Sequence, residues 1–572
     1  MSGRPLVAPL VALLVVGCNE SALRREQGES DAATSDGGRC LTLVSWNDLH
    51  GSIGPDDALL DTGRVPAGGV IALADAVFDV RERGDDVVIV DAGDEFTGPL
   101  ESTLAEGAPI VAAYRRIGVD AAALGNHDFD FGPLGYARVT AKGGVGDEAG
   151  VDGPRGALFA RMASASYPYL SANLHRIGGA SPGWPNFAAS TIVVRGAWRV
   201  GVVGYTTRET PTTTLTPNVA DLDFATNAAP AVAAEIHKLR EVGAAPVVLL
   251  AHASLEGALP QSLDEPSDPD GVKRVGELAT LVAGLGDDRP DLIVAGHRHA
   301  WMLGRVRGVP IVSSDQHGVG LARSRFCKVD GKVKLHSVER QLVFSDGGPR
   351  TPLGAAVAFD VAPWIDRVRA DAAVAIATLQ ATCLHQSLDG NAYAEQVARA
   401  LAEHVADARP APAGVPVVAM VNAGGLRAPL LKGTVRLRDL FAAFPFENSV
   451  AVCATTEGGL AHALDNALAR PAAKERFPVG LFGAKLSVRR AADGTPTRTK
   501  LEVVGATKDR NDPRVWLAIP DFLLWGGDGI LDGVVCEPAI GSSTRVRDAW
   551  RTVLAREQGG CEGPAKNVVV AH

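Results

Sequence analysis

Five apolar runs in the first half of this chain each end in side chains that can ligate a metal or move a proton. Residues 41–46 run into Asn47-Asp48-Leu49-His50, residues 87–90 into Asp91-Ala92-Gly93-Asp94, and a third segment ends in Gly125-Asn126-His127-Asp128-Phe129-Asp130. Further on, residues 247–251 meet His252 and residues 292–295 meet Gly296-His297-Arg298-His299. Each ending alone is commonplace, since an isolated buried histidine is more often a hydrogen-bonded core residue than a ligand. The ordered set is different. Carboxylate, imidazole and amide oxygen together suit divalent transition metals (Mn, Fe, Co, Ni or Zn) rather than a thiolate cage or an all-oxygen calcium site.

Elements that could bring such endings together are legible around them. Short β-branched runs, including 309–312, alternate with helix-length amphipathic stretches such as 229–242, which predicts a layered α/β domain. In such a domain the carboxyl ends of parallel strands share one edge, so residues far apart in sequence converge there. The domain is expected to span 40–345. Gly347, Gly348, Pro349 and Pro352 then form a breaker cluster, and an Ala- and Val-rich stretch at 355–380 predicts a connecting helix within a linker at 346–382. A second, smaller α/β unit is expected over 383–572, with a helix at 393–408 and strands at 417–421 and 450–454. The Gly- and Asp-rich stretch 142–154 reads as a surface loop.

At roughly 150 residues per domain, 572 residues call for at least two domains, and 46% hydrophobic with 21% charged residues excludes disorder for the bulk of the chain. The formal charge of -10 disfavours phosphate backbones and with them nucleic acid as a main partner. At the N-terminus, Arg4, an apolar run over 5–16, Gly17 and Cys18 read as an export signal, too short for a membrane span. Its end resembles the bacterial lipobox, which implies a lipidated Cys18, anchoring in the periplasm or cell envelope, and a flexible tether at 19–39. Setting Cys18 aside, six of the seven cysteines remain (Cys40, Cys327, Cys383, Cys453, Cys536 and Cys561), enough for three disulfides of open connectivity. None forms a CxxC pair, so the metal site must use histidine and carboxylate.

In order, DxH, GD, GNHD, a single His and GHxH resemble the calcineurin-type metallophosphoesterases. The resemblance extends to the secreted 5'-nucleotidases through Gly204-Tyr205-Thr206-Thr207 with Thr210-Pro211-Thr212, Asn422-Ala423-Gly424-Gly425-Leu426-Arg427, Phe444-Pro445-Phe446-Glu447-Asn448, and Phe522 through Gly526-Gly527-Asp528-Gly529. It covers residues 41 to 555. It implies an αββα metallophosphoesterase domain followed by a 5'-nucleotidase C-terminal substrate-binding domain, and two divalent cations (Mn, Zn, Fe or Co). Asp48, His50, Asp94 and His299 would hold one cation, with Asp94 bridging to a second held by Asn126, His252 and His297. Two cations roughly 3.5 to 4 Å apart clamp phosphoryl oxygens and supply hydroxide for in-line attack. The resemblance also places His127, oriented by Asp130, beside the phosphate as the catalytic pair; a structural turn is the alternative for Asp128 and Asp130, and Asp130 is preferred because the family motif pairs that position with the histidine. Phe446 and Phe522 would stack on the base, and Arg427, Asn448 and Asp528 would contact phosphate, base and ribose.

The implied activity is exported removal of phosphate from nucleoside 5'-monophosphates. Two features depart from the family pattern: residues 386–397 contain no Lys or Arg where nucleotide-cleaving members carry arginines, and Glu447 sets an acid beside the base clamp. The substrate alternatives are therefore a 2',3'-cyclic nucleotide, a sugar nucleotide or another ester, including a sulfur ester. The alternative of another class is an inactive surface-binding lipoprotein, disfavoured because every ligand position is filled. Gly526-Gly527-Asp528-Gly529 lacks GxGxxG spacing and a GK[ST] ending, so no dinucleotide fingerprint or P-loop is present there.

Overall fold

A computed structural model describes residues 40–571, apart from 61–62, 136–152, 258–260, 265–273, 347, 409–410, 475, 506–512 and 557–564. The signal at 1–18, the tether at 19–39, Cys561 and most of the 142–154 loop lie outside the described residues.

Five strands carry the sequence endings: β1 (Leu41–Trp46), β2 (Asp86–Asp91), β3 (Ala121–Ala123), β4 (Val247–His252) and β5 (Leu292–Ala295). β1, β2 and β3 run parallel in a seven-stranded sheet, with Leu43 opposite Val88 and Val90 opposite Ala121. β4 and β5 run parallel in a six-stranded sheet, with Leu249 opposite Ile293. Side chains alternate between faces with period two. Leu41, Leu43, Val88 and Val90 therefore meet Val248, Leu250, Leu292 and Val294 in a core between the two sheets. The outward residues Trp46 and Ile89 pack under helices Val70–Arg81 and Ala108–Ile117, and Leu249 and Ile293 under Ala229–Glu241 and Glu277–Gly284. The layers are αββα, as the resemblance implies, within the layered α/β domain the strand and helix pattern predicts, and both sheets present their carboxyl ends to one edge.

The connecting helix begins at Pro352, where Thr351 caps it by accepting from the Gly354 amide at 3.1 Å, and ends at Ala372. It is shorter than the sequence pattern suggests. Ala375–Leu379 forms a strand with Gly433–Arg436 instead, and the Leu437 amide donates to the Val374 carbonyl at 2.9 Å. Val357 and Val361 of this helix bury in the first core, while Val368 and Ala372 pack with Leu100 of the first unit and Phe441 of the second.

The second unit is built on β6 (Val417–Asn422), β7 (Ser449–Thr456) and β8 (Arg514–Pro520) within a five-stranded sheet. Helices Ala392–Ala408 and Val546–Arg556 cover one face and Glu457–Ala469 the other. Disulfides join Cys40 to Cys327 and Cys453 to Cys536, and Cys383 is disulfide-bonded as well. Among the described residues no helix is long and apolar enough to cross a membrane.

Candidate active site

The turns that follow β1 and β2 are joined by backbone hydrogen bonds: the Asp48 amide donates to Gly93 O at 2.9 Å and the His50 amide to Asp94 O at 2.9 Å. The backbone around the site is unusual. Asp48, His50, Asp94, His297 and His299 all have φ between 47° and 78°, a region costing a non-glycine residue roughly 1–3 kcal/mol. Glycines make room for it. A Cβ on Gly125 would lie 2.1 Å from Asp94 Oδ1, and one on Gly93, itself at φ 96°, 2.7 Å from the Gly125 amide nitrogen.

Two groups of potential ligand atoms result. Asp48, His50, Asp94 and His299 each offer one atom within 4.8 Å of the others, and Asp94, His252 and His297 form a second such group. Asp94 belongs to both. Neighbouring groups fix the imidazoles: His50 Nδ1 sits 3.1 Å from Thr97 O and His252 Nδ1 2.8 Å from Ala92 O, which leaves both Nε2 atoms facing the site. His50 and His299 Nε2 come within 3.0 Å of each other. Burial, with Arg427 adding to it, holds His50 well below its usual range and His299 down to about 4, so both present neutral lone pairs. Burial alone would raise Asp48 and Asp94, but the surrounding imidazoles hold both below the usual carboxylate range. Burial likewise opposes charge on His252, yet the Asp94 carboxylate 3.0 Å away pushes it up to about 10.

The donor set fits divalent cations. Asn126 Oδ1 is buried without a hydrogen bond, and the buried Asp94 Oδ2 and His252 Nε2, 3.0 Å apart, have no hydrogen-bond partner beyond each other, an arrangement a cation at these atoms would satisfy. Asp128 has a different task. Its carboxylate accepts from the amides of Asp94 at 3.2 Å, Glu95 at 2.8 Å and Gly125 at 2.8 Å, and so fixes the bridging loop. Asp91, in the polar ending of β2, also points away from the ligands. It bonds Trp46 Nε1 at 3.1 Å and the Tyr114 hydroxyl, and burial pushes it up to about 8. Asn47 bridges Asp48 Oδ2 at 2.6 Å and the Ser314 backbone.

In front of these ligands lies a cavity of about 560 Å³. From the first unit it is lined by Asn126, His127, Asp130, His297 and His299; Asp48, Asp94 and His252 lie fully buried behind them. From the second unit it is lined by Arg427, Phe446, Asn448, Phe522 and Asp528, all five residues that the sequence motifs single out for substrate. His127 Nδ1 is 2.9 Å from Asp130 Oδ2, and Asp130 Oδ1 accepts from the Thr214 hydroxyl at 2.9 Å. Burial opposes charge on His127, but Asp130 and Asp94 outweigh it and raise its pKa above the ordinary histidine value. Its ring lies 5.3 Å from that of Phe446, and Arg427 lies 5.8 Å from the same ring. Arg427 Nη2 is 3.3 Å from His50 Nε2 and 3.2 Å from His299 Nε2, so the second unit delivers a guanidinium directly to the ligand cluster.

Other polar groups of this wall are tied to protein partners. Asp528, at φ 58°, accepts from Asn422 Nδ2 at 2.8 Å and pairs with Arg470 at 3.0 Å. Asn448 donates to Asp521 at 3.3 Å. Glu447 is buried against Arg547 and lies 3.3 Å from Arg545, so its charge is met by two guanidinium groups. Sequence reasoning missed Arg470 and Arg476, which line the cavity from a loop with no motif, and Glu209, 3.8 Å from His297 Nε2. The threonine-rich motif around Glu209 is the one signal that marks it. Thr214 braces Asp130, the Thr213 carbonyl accepts from Asn126 at 3.3 Å, and Thr216 donates to Trp525 O of the second unit at 2.8 Å.

Residues 375–533 match the family model described as 5'-nucleotidase, C-terminal domain. Over 530 residues the chain is 25% identical to the 5'-nucleotidase of Bos taurus, covering 86% of this chain and 83% of that protein. It is 29% identical over 174 residues to the snake venom 5'-nucleotidase of Gloydius brevicauda, a match spanning 30% of this chain and 26% of the venom protein. The crystal structure of a 5'-nucleotidase precursor from Thermus thermophilus superposes with a TM-score of 0.73 at 19% identity, over 93% of this chain and 99% of that one. An αββα sandwich whose sheet edge gathers aspartate, histidine and asparagine around one shared carboxylate defines a metallophosphoesterase core, within the class of metal-dependent phosphoric ester hydrolases. Residues 375–533 are thus similar to the 5'-nucleotidase C-terminal domain, and most of the chain is similar to 5'-nucleotidases.

Proposed function

We propose that this protein removes phosphate from nucleoside 5'-monophosphates. One observation carries the reading: two ligand groups sharing Asp94 stand behind the same cavity that Arg427, Phe446, Phe522 and Asp528 line from the second unit. We assign Asp48, His50, Asp94 and His299 to one divalent cation, and Asp94, Asn126, His252 and His297 to a second. When bound, such a pair polarises phosphoryl oxygens and activates water.

This chain's residues do the rest. Arg427 neutralises phosphate charge beside the ligand cluster. His127, whose pKa Asp130 raises and whose partner Asp130 is held by the Thr214 hydroxyl, would donate a proton to the leaving oxygen or stabilise its charge. Phe446 and Phe522 offer ring faces to the base, Asn448 a polar contact to it, and Asp528 a carboxylate to the ribose. The engagement of Glu447 by Arg545 and Arg547 supports a nucleotide despite the acid beside the clamp. We assign residues 40–345 to the metallophosphoesterase domain, 346–382 to the linker and 383–572 to the substrate-binding domain. Export, with anchoring through Cys18, is supported by the N-terminal sequence and by disulfides suited to an oxidising compartment.

The test is phosphate release by purified, signal-free protein from AMP, UMP, ADP, 2',3'-cyclic AMP, UDP-glucose and bis(p-nitrophenyl) phosphate, with and without Mn. Metal-dependent turnover of AMP and UMP is the expected result. Cleavage of the bis ester with no cleavage of nucleotides would overturn the substrate and keep the metal centre; no cleavage by metal-loaded protein would favour a binding lipoprotein.

A further inference from the structure

Two of the ligand histidines are steadied by backbone carbonyls, His50 Nδ1 by Thr97 O at 3.1 Å and His252 Nδ1 by Ala92 O at 2.8 Å. His297 is held differently. Among the described residues, the one ion-pair or hydrogen-bond partner of its ring is the carboxylate of Glu209, with Oε2 3.8 Å from His297 Nε2. Glu209 belongs to neither group of converging ligand atoms. It lines the cavity, yet a carboxylate there repels the phosphate that Arg427 would draw in. Ligation and substrate contact are thus both disfavoured, which leaves the imidazole it faces.

The backbone that carries Glu209 is fixed on both sides. Its amide donates to Thr207 Oγ1 at 3.2 Å, and its carbonyl accepts from the Thr212 amide at 2.9 Å and from the Thr212 and Thr213 hydroxyls at 3.0 and 2.9 Å. Thr207 is anchored in turn: its hydroxyl donates to the buried Glu277 Oε2 at 2.6 Å, and the Arg208 amide donates to Glu277 Oε1 at 2.7 Å. The same loop serves another ligand. The Thr213 carbonyl accepts from Asn126 Nδ2 at 3.3 Å, which leaves Asn126 Oδ1, buried and without a hydrogen bond, for a cation. His297 and Asn126 are both assigned to the second cation and not to the first, so residues 207–213 stand behind one cation of the pair.

We infer that Glu209 is a positioning residue for the second cation: its carboxylate accepts from His297 Nε2–H, fixes the tautomer and leaves Nδ1 as the ligand atom. The inference rests on the proposed assignment of His297 to that cation, and it needs neither a nucleotide nor turnover. A carboxylate on the far nitrogen of a ligating imidazole orients the ring and makes the ligating nitrogen more basic. Removing such a partner typically weakens metal binding about 10- to 100-fold. Reaching hydrogen-bond length from 3.8 Å takes about 1 Å of movement, within the range of a side chain that is 45% exposed. That exposure also screens the pair, so the expected effect lies at the lower end of the range.

The test is calorimetric titration of Mn into metal-stripped wild type, Glu209→Ala and Glu209→Gln, with bound Mn counted by elemental analysis. Wild type should bind two Mn. Glu209→Ala should weaken one of them about tenfold and the other less than about twofold, and Glu209→Gln, whose amide oxygen still accepts, should weaken the same ion only about threefold. Activity on p-nitrophenyl phosphate lost in Glu209→Ala should return as Mn is raised, which a damaged fold would not allow. Both ions weakened alike in the two variants, or neither weakened, overturns the inference. So does a crystal structure of Mn-loaded wild type in which Mn sits on His297 Nε2 or on Glu209 itself. If p-nitrophenyl phosphate is cleaved and AMP is not, the nucleotide reading fails and the Mn titration still decides. If wild type binds a single Mn, the two-cation assignment fails by itself, and unchanged affinity for that ion in Glu209→Ala overturns the inference too.

Discussion

The edge of the first unit and the wall of the second face one cavity, yet they are built in opposite ways. At the edge, five of the seven proposed ligand residues sit in left-handed backbone, four of them are fully buried, and glycines are required because a Cβ on Gly125 or Gly93 would strike Asp94 or the loop beside it. On the wall, Asp528 alone among the five substrate-facing residues adopts such a conformation, and Phe446 and Phe522 are only partly buried at the margins of their cores. The difference follows from what each must do. Ligand atoms must meet within a few ångströms, which a packed and strained loop enforces; a substrate wall needs contact area and charge, which side chains on relaxed backbone supply.

The comparison can be broken by substitutions on either side. The largest effect is expected at the edge: Asp94→Ala should remove the shared ligand, lower kcat/KM on every substrate by about 10³-fold or more, and reduce bound metal as measured by elemental analysis. Next is Asp130→Asn, expected to lower kcat about 10²-fold. Its sign with pH is definite. Asp130 is the strongest of the groups that raise His127, so its neutralisation lowers that pKa, and a step needing protonated His127 is lost at lower pH. The alkaline limb of the kcat profile should move down in pH; an unmoved limb would remove His127 from the acid role.

On the wall, effects should be smaller and selective. Phe446→Ala is expected to raise KM for AMP about tenfold, the worth of one stacked base, and to leave p-nitrophenyl phosphate nearly untouched. Equal losses on both would mean that the ring supports His127 rather than the base. The smallest effect on catalysis belongs to Glu447→Ala. Because its carboxylate serves Arg547 and Arg545, removing it should leave KM for AMP within about threefold while costing about 3 kcal/mol of stability in urea unfolding, the usual result of orphaning a buried charge.

Much of the edge is legible in the sequence because two local signals coincide there. Period-two apolar runs mark the strands, and each run stops at ligand-type residues, so the shared edge of parallel strands brings Asp48, Asp94, His252 and His297 together. What is not legible depends on tertiary packing. Asp91 and Asn47 share the same polar endings, yet Asp91 turns to Trp46 and Tyr114 and Asn47 to Ser314. Nothing local distinguishes them from ligands. The alanine-rich stretch at 355–380 carries helix propensity throughout, but pairing of Ala375–Leu379 with Gly433–Arg436 takes its end into a sheet. Arg470 lies in a turn without a motif and acquires meaning only through its distance to Asp528.

The central claim is that the strained strand ends form one centre for two cations sharing Asp94. Anomalous X-ray scattering at the manganese edge from Mn-loaded crystals tests it most directly. The expected result is two peaks roughly 3.5 to 4 Å apart, one bound by Asp48, His50 and His299, the other by Asn126, His252 and His297, with Asp94 touching both. A single peak, or two peaks that do not share Asp94, would contradict it.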